Sequence, residues 1–266
     1  LIGGTAGRTT LNGEGLQHQD GHSHLNAMAF PTVRAYDPAW AYETVVIVLD
    51  GMKRLYQDGE TAIYYITVHN EDYEMPAMPE GAEEGIIRGI YKFTSQEVPS
   101  ARARVQLFGS GAILRHVIEA SKILAEKYKI ASDVWSVTSY TQLRREAQSI
   151  ERWNMLHPDQ PARKSHIQNV MEGVQGPIIS ASDNVRAVGE QLTPYLDQDY
   201  YVLGCDGMGR SETRPALRRH FEVDAASVAI AALYRLSRAK VITGAEVAQA
   251  IKDLDYDPEK PNPLFA

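Results

Sequence analysis

Hydrophobic and polar positions along this chain alternate between two periods. In "TAIYYITVHN", 61–70, β-branched and aromatic residues run almost unbroken, the pattern of a buried strand. Just before it, over 39–57, Ala41, Val45, Val48, Met52 and Leu55 recur at three- and four-residue steps, predicting a helix with those residues on its apolar face. The same alternation continues downstream. "PTVRAYDP" (31–38) reads as a short strand stopped by Asp37-Pro38. Residues 82–89 read as a short helix and "GIYKFT" as a strand. After the polar, proline-centred "SQEVPSARA" (95–103) come strand "RVQLFGSG" and a helix over 112–128 with Leu114, Val117, Ile118, Ser121, Leu124, Ala125 and Tyr128 on one face. Strand "SDVWSVTS", a helix through Trp153, strand "GPIISAS", a helix over 184–195, strand "YYVLGCDG" and a helical C-terminus complete the series. Strands alternating with helices predict an α/β fold with a mainly parallel sheet covered on both faces. The segment 95–103 is taken as a boundary, giving units 1–98 and 99–266. Residues 1–26 are glycine-rich and poor in apolar positions, and read as loop.

Composition narrows the function classes. The chain has 266 residues, 44% hydrophobic, with mean hydropathy −0.32, enough for one large or two ordinary domains. Thirty-four acidic residues against 27 basic ones leave a net charge of −7, which argues against general nucleic-acid binding. No apolar run approaches the ~20 residues of a membrane span. The single cysteine, Cys205, allows no intramolecular disulfide and fits a reducing, cytoplasmic setting. The opening Leu1-Ile2-Gly3-Gly4 resembles the middle of a domain, so the chain is expected to be a piece of something longer.

Candidate chemistry concentrates in "GEGLQHQDGHSHL", 13–25. His18, Asp20, His22 and His24 lie close together, and His18 and His22 at a four-residue step would share a helix face and could ligate zinc. Gly13, Gly15 and Gly21 argue against a helix, and Asp20-Gly21 favours a turn. An active-site loop is preferred: imidazoles exchange protons near neutral pH and hydrogen-bond carboxylate substrates. Other motifs carry plainer readings. "HNEDYEMPAMPEG" is a strand-exit loop, "GCDGMGRSETR" a tight turn that fits neither common phosphate-cradle pattern, and Cys205 a small core residue. "RPALRRHFEVD" gathers Arg214, Arg218, Arg219 and His220, as a solvated face or as a contact for an acidic partner.

Several stretches occur here in order: "GGTAGRTTLNGEGLQHQDGHSH", "YYITVHNEDYEMPAMPEGAEEGI", "LFGSGAILRHVIEA", "ERWNMLHP" and "GCDGMGRSETRPALRRHFEVD". Together they resemble the C-terminal part of the homodimeric, bacterial-type pyruvate dehydrogenase E1 family, which is thiamin-diphosphate dependent and transketolase-like. The resemblance runs from residue 1 to the end. It implies that 1–98 is the C-terminal part of a pyrimidine-side thiamin-binding domain and that 99–266 is a transketolase C-terminal-type domain. It implies a parent oxidoreductase of glycolytic carbon that decarboxylates pyruvate and transfers acetyl to the lipoyl group of an E2 partner, as a homodimer with Mg²⁺. The Gly-Asp-Gly and Asn-Asn signature for Mg²⁺ and diphosphate does not occur in this sequence, so the chain alone is expected to be inactive.

For the histidine loop, the resemblance implies catalytic roles for His18, the first choice, and His22. It places Asp20, His24 and Gln17 near substrate or cofactor, with no metal ligand among them. His22 stands where transketolases have proline, and Gln19 where a common E1 version has Glu. The competing readings are a metal-dependent hydrolase built on His18, Asp20 and His22, and a non-catalytic α/β binding module.

Overall fold

The computed structural model describes residues 1–5, 7–13 and 18–266. Its strands fall into two sheets. The first has three parallel strands, β1 (Ile2–Thr5), β2 (Val33–Tyr36) and β3 (Ile63–Val68), in the order β1-β3-β2. The second has five, in the order β4-β6-β5-β7-β8: β4 (Ile90–Gln96), β5 (Ala103–Gly109), β6 (Ile130–Val137), β7 (Ile178–Ala181) and β8 (Tyr200–Leu203). Only the edge strand β4 runs antiparallel, against β6; β6, β5, β7 and β8 are parallel. Every residue of β6 and β7 is buried, as a sheet covered on both faces requires.

Because β4 hydrogen-bonds to β6, the segment 95–103 closes a connection inside the second sheet, and the chain changes sheet between β3 and β4.

Two layers of helix enclose the second sheet. α4 (Leu114–Tyr128), α8 (Arg214–His220), α9 (Ala225–Arg238) and α10 (Gly244–Asp253) cover one face, where Leu107, Leu114, Val117, Leu124 and Val228 form the largest core. α5 (Tyr140–Leu156), α6 (His166–Met171) and α7 (Arg186–Glu190) cover the other, around Phe108, Trp135 and Leu143. The helix expected over 184–195 is confined to α7, followed by a short 3-10 turn at Thr193–Tyr195. Pro194 has no N–H to extend a helix ladder.

The first sheet packs on α1 (Ser23–Met28), α2 (Ala41–Met52) and α3 (Glu83–Arg88), around Tyr36, Ile47, Tyr64 and Ile86. Here the periodicity misleads. The buried face of α2 carries Glu43, Ile47 and Gly51, whereas Val45, Leu49 and Met52 are exposed. Glu43 is fully buried because its carboxylate accepts the N–H of Ala39 (2.6 Å) and Trp40 (3.1 Å) and the hydroxyls of Tyr91 (2.7 Å) and Ser136 (2.6 Å), which replaces its hydration. Gly51 admits the Tyr64 ring, which would stand 3.2 Å from any Cβ there. Residues 1–5 and 18–26 also hold more structure than their composition suggests. Ile2–Thr5 pairs with β3 as an edge strand, and α1 begins after the Asp20-Gly21 turn.

Candidate functional site

The histidine loop sits where the two sheets meet, and its described residues divide into exposed and buried imidazoles. His18 and His22 are exposed; the His22 side chain is 59% accessible. Asp20 accepts the backbone N–H of His22 (3.0 Å) and of Ser23 (3.1 Å) through Oδ1, which forms the turn that starts α1. The same oxygen lies 3.6 Å from His22 Nδ1. Asp20 therefore shapes the turn that presents His22. Gln19, beside His18, is buried and accepts the Arg210 N–H. Gln17 lies outside the described residues.

His24 faces the other way. It is 4% exposed, with its ring 5.5 Å from that of Tyr65 and Nε2 3.2 Å from Thr67 Oγ1. The Thr67 hydroxyl has one proton. It donates to Asp37 Oδ1 at 2.6 Å, so it accepts from His24 Nε2–H and fixes that tautomer. Burial pushes the His24 pKa down, against the opposing charges of Asp37 and Asp20. His24 is thus a neutral framework residue.

Asp37 is the hub beneath the loop. It is 4% exposed, and Oδ2 accepts Asn184 Nδ2 (3.1 Å) from the second sheet's side. Its carbonyl accepts the Gly111 N–H at 3.1 Å, and its Oδ1 lies 3.7 Å from His69 Nε2. Gly111 (φ +51°) is needed there, because a Cβ would come within 2.7 Å of the carboxylate. Residues 110–111 and 182–184 follow β5 and β7, at the crevice where an open parallel sheet takes its ligands. In this chain Asp37 occupies it.

A second cluster lies alongside. Glu71 receives Arg218 through both Nη atoms and Arg115 Nη2 (2.6 Å), with Arg214 Nε at 3.8 Å. Burial alone would raise the Glu71 carboxyl, but the hydrogen bonds and charges of Arg218 and Arg115 outweigh it and hold its pKa at about 2. Nearby His116 is held at about 4, by burial first and then by Arg218 and Arg115. The acidic contact of the arginine-rich segment is therefore a glutamate of the same chain. Cys205 is fully buried, and burial followed by Asp183 raises its thiol far above the usual range.

The structure brings His18, Asp20 and His22 to one end of the first sheet and withdraws His24 into the interior. Among the described residues, no three His, Cys, Asp or Glu side chains are grouped to hold a metal ion. His69 and Glu71 fall in the stretch read as a plain strand-exit loop, and Asp37, Thr67 and Asn184 were not expected at the site, although Asp37, His69 and Glu71 lie just past strands, where binding groups gather.

Residues 1–76 match the model of the pyruvate dehydrogenase E1 component middle domain, and residues 89–224 match the transketolase-like TK C-terminal domain. The chain belongs to the transketolase-like C-terminal domain family. It is 52% identical over its whole length to the pyruvate dehydrogenase E1 component of Escherichia coli, and 48% identical over 99% of its length to that of Cupriavidus necator. In each case it spans 30% of the relative. Among solved structures, transketolase from Leishmania mexicana aligns with 88% of this chain and 30% of its own at a TM-score of 0.60 and 16% identity. That likeness supports the fold. The chain therefore shares a mainly parallel α/β architecture with transketolases, and β4 begins one residue after the matched C-terminal domain does. No helix among the described residues is long and apolar enough to cross a membrane.

Proposed function

We propose that this chain forms one wall of the active site of a pyruvate dehydrogenase E1 component, with His18 and His22 as its chemical groups and Asp20, Gln17 and His24 around them. The observation that carries the reading is the split of the loop. Two imidazoles are held at the surface while the third is locked inside on Thr67 and Asp37. Such an arrangement suits a small anionic substrate such as pyruvate. Imidazole N–H groups orient a carboxylate and the neighbouring oxygen, and an imidazole moves a proton to or from that oxygen near neutral pH.

The described residues fit this reacting end and not the rest of a thiamin diphosphate site. They offer no metal-binding group, and the sequence has no Gly-Asp-Gly or Asn-Asn pair to hold Mg²⁺ and diphosphate. When bound, thiamin diphosphate supplies an electron sink for decarboxylation; its holders belong to the part of the relatives that this chain does not span. On this reading the chain alone is inactive and binds the cofactor weakly. The whole protein works as a cytoplasmic homodimer that passes acetyl to the lipoyl group of an E2 partner.

Two assays test the reading. In the full-length protein, His18→Ala or His22→Ala lowers pyruvate turnover by about 10²–10⁴-fold, the usual worth of a positioned acid or base; full turnover in both variants removes the assignment. Calorimetry on the 266-residue chain gives little or no heat with thiamin diphosphate and Mg²⁺, and tight binding refutes the inactive-piece reading.

A further inference from the structure

Both stems of the histidine loop end on one three-residue segment of the second unit. The N–H of Thr9 donates to both carboxylate oxygens of Asp183, at 3.0 and 3.2 Å. Arg8 N–H donates to the Asp183 carbonyl at 3.3 Å, and Val185 N–H to the Gly21 carbonyl at 2.7 Å. The glycines are shaped to this contact. Gly7 has φ +81°, and a Cβ there would stand 1.8 Å from Asp183 Oδ2. A Cβ on Gly21 would meet Arg8 Nε at 2.5 Å. Asp183 is 1% exposed. Burial pushes its carboxyl up, against the hydrogen bonds of Thr9 and the charge of Arg218. A carboxylate so deep is costly unless it holds something in place, and here it holds backbone of the loop that ends in His22.

We propose that Asp183 is a positioning residue: from the loop after β7 it fixes the base of the histidine loop, so that the second domain sets the direction of the His18 and His22 imidazoles. This rests on the E1 reading for its catalytic consequence but not for its structural one. Displacing a reacting group by about 1 Å costs on the order of 10²-fold in rate, and among the described residues it is the Asp183 carboxylate that receives the Thr9 amide.

The test uses the full-length protein carrying Asp183→Ala, Asp183→Asn and Gly7→Ala. In Asp183→Ala, kcat for pyruvate falls by about 10²-fold with a much smaller change in KM. Asp183→Asn keeps one acceptor oxygen and recovers most of the loss. Adding Asp183→Ala to the more damaging of His18→Ala and His22→Ala costs little more, because both act through one geometry; losses that multiply overturn the proposal. Hydrogen exchange gives a readout free of activity. Amides of residues 7–13 and 18–24 lose protection in Asp183→Ala and in Gly7→Ala, while β5 and α4 keep theirs. Unchanged loop protection overturns the proposal even if activity falls. Should Asp183→Ala not fold, the same exchange pattern is read from Gly7→Ala, which leaves the carboxylate in place and pushes the loop away. If the wild-type protein does not turn over pyruvate, the E1 reading fails, and exchange still decides the role of Asp183.

Discussion

Replacing Glu71 with glutamine removes one charge from the centre of three arginines. Arg218 is 4% exposed and donates to both Glu71 oxygens, so Glu71→Gln leaves a buried guanidinium without its counter-ion, at a cost of about 3 kcal/mol. The depressed pKa of Glu71 gives a similar magnitude. A drop from 4.5 to about 2 corresponds to a ceiling of about 3 kcal/mol at ~1.4 kcal/mol per unit. Arg115 and Arg214 are about a quarter exposed, at 28% and 24%. Solvent screening there brings the pH-dependent part to about 2 kcal/mol.

The sign follows from proton binding. Folded Glu71 holds its proton less tightly than the unfolded chain does, so its contribution is present above about pH 4.5 and is lost as pH falls towards 2. The assay is thermal and urea unfolding of wild type and Glu71→Gln from pH 8 to pH 3. At pH 7 the variant melts about 6–12 °C lower, taking ~2–4 °C per kcal/mol for a protein of this size. The gap narrows below pH 4.5, because only wild type has this carboxylate to protonate. Adding Arg218→Met to Glu71→Gln restores part of the stability by removing the stranded charge. A difference at pH 7 below about 1 kcal/mol, or a gap that stays constant into acid, refutes this account of the cluster.

Other expectations follow from the same geometry. In an NMR titration His116 changes protonation near pH 4 rather than near 6.5; because the folded state disfavours its charged form, stability falls as pH drops from about 6.5 towards 4. Native Cys205 resists thiol reagents until the protein unfolds, since it is fully buried with a raised pKa; fast labelling without unfolding contradicts this. Gly176→Ala costs about 3 kcal/mol or more, because φ is +92° and the new Cβ meets Arg104 O at 2.0 Å. Gly13→Ala, at φ +72° with no described residue within 4 Å of the new Cβ, costs only about 1 kcal/mol; denaturant midpoints that fail to separate the two variants refute the steric argument.

The second sheet and its helices were legible because their apolar runs are long and their periods clear, as in α4, where Leu114, Val117, Ser121 and Leu124 are buried as expected. α2 was misread on its faces. Valine, leucine and methionine lie all round it, so periodicity had no contrast to use, and the buried face was chosen by a glutamate with partners distant in sequence. The edge strand Ile2–Thr5 is too short and glycine-rich to declare itself without β3 beside it. At the site, the histidines announced themselves by composition. Their sorting into exposed and buried did not, because it depends on Thr67 and Asp37, which lie 43 and 13 residues from His24 in the chain. Asp37-Pro38 signalled only the end of a strand. Nothing local marks Asp37 as the plug of a crevice formed by residues 110–111 and 182–184.

The most direct test of the central claim is pyruvate-dependent decarboxylation by the full-length protein with thiamin diphosphate and Mg²⁺, compared between wild type and the His18→Ala, His22→Ala double variant. We predict robust turnover in wild type and a loss of at least about 10²-fold in the double variant, with cofactor affinity retained. Equal turnover in the two proteins would contradict the placement of the histidine wall at the reacting centre.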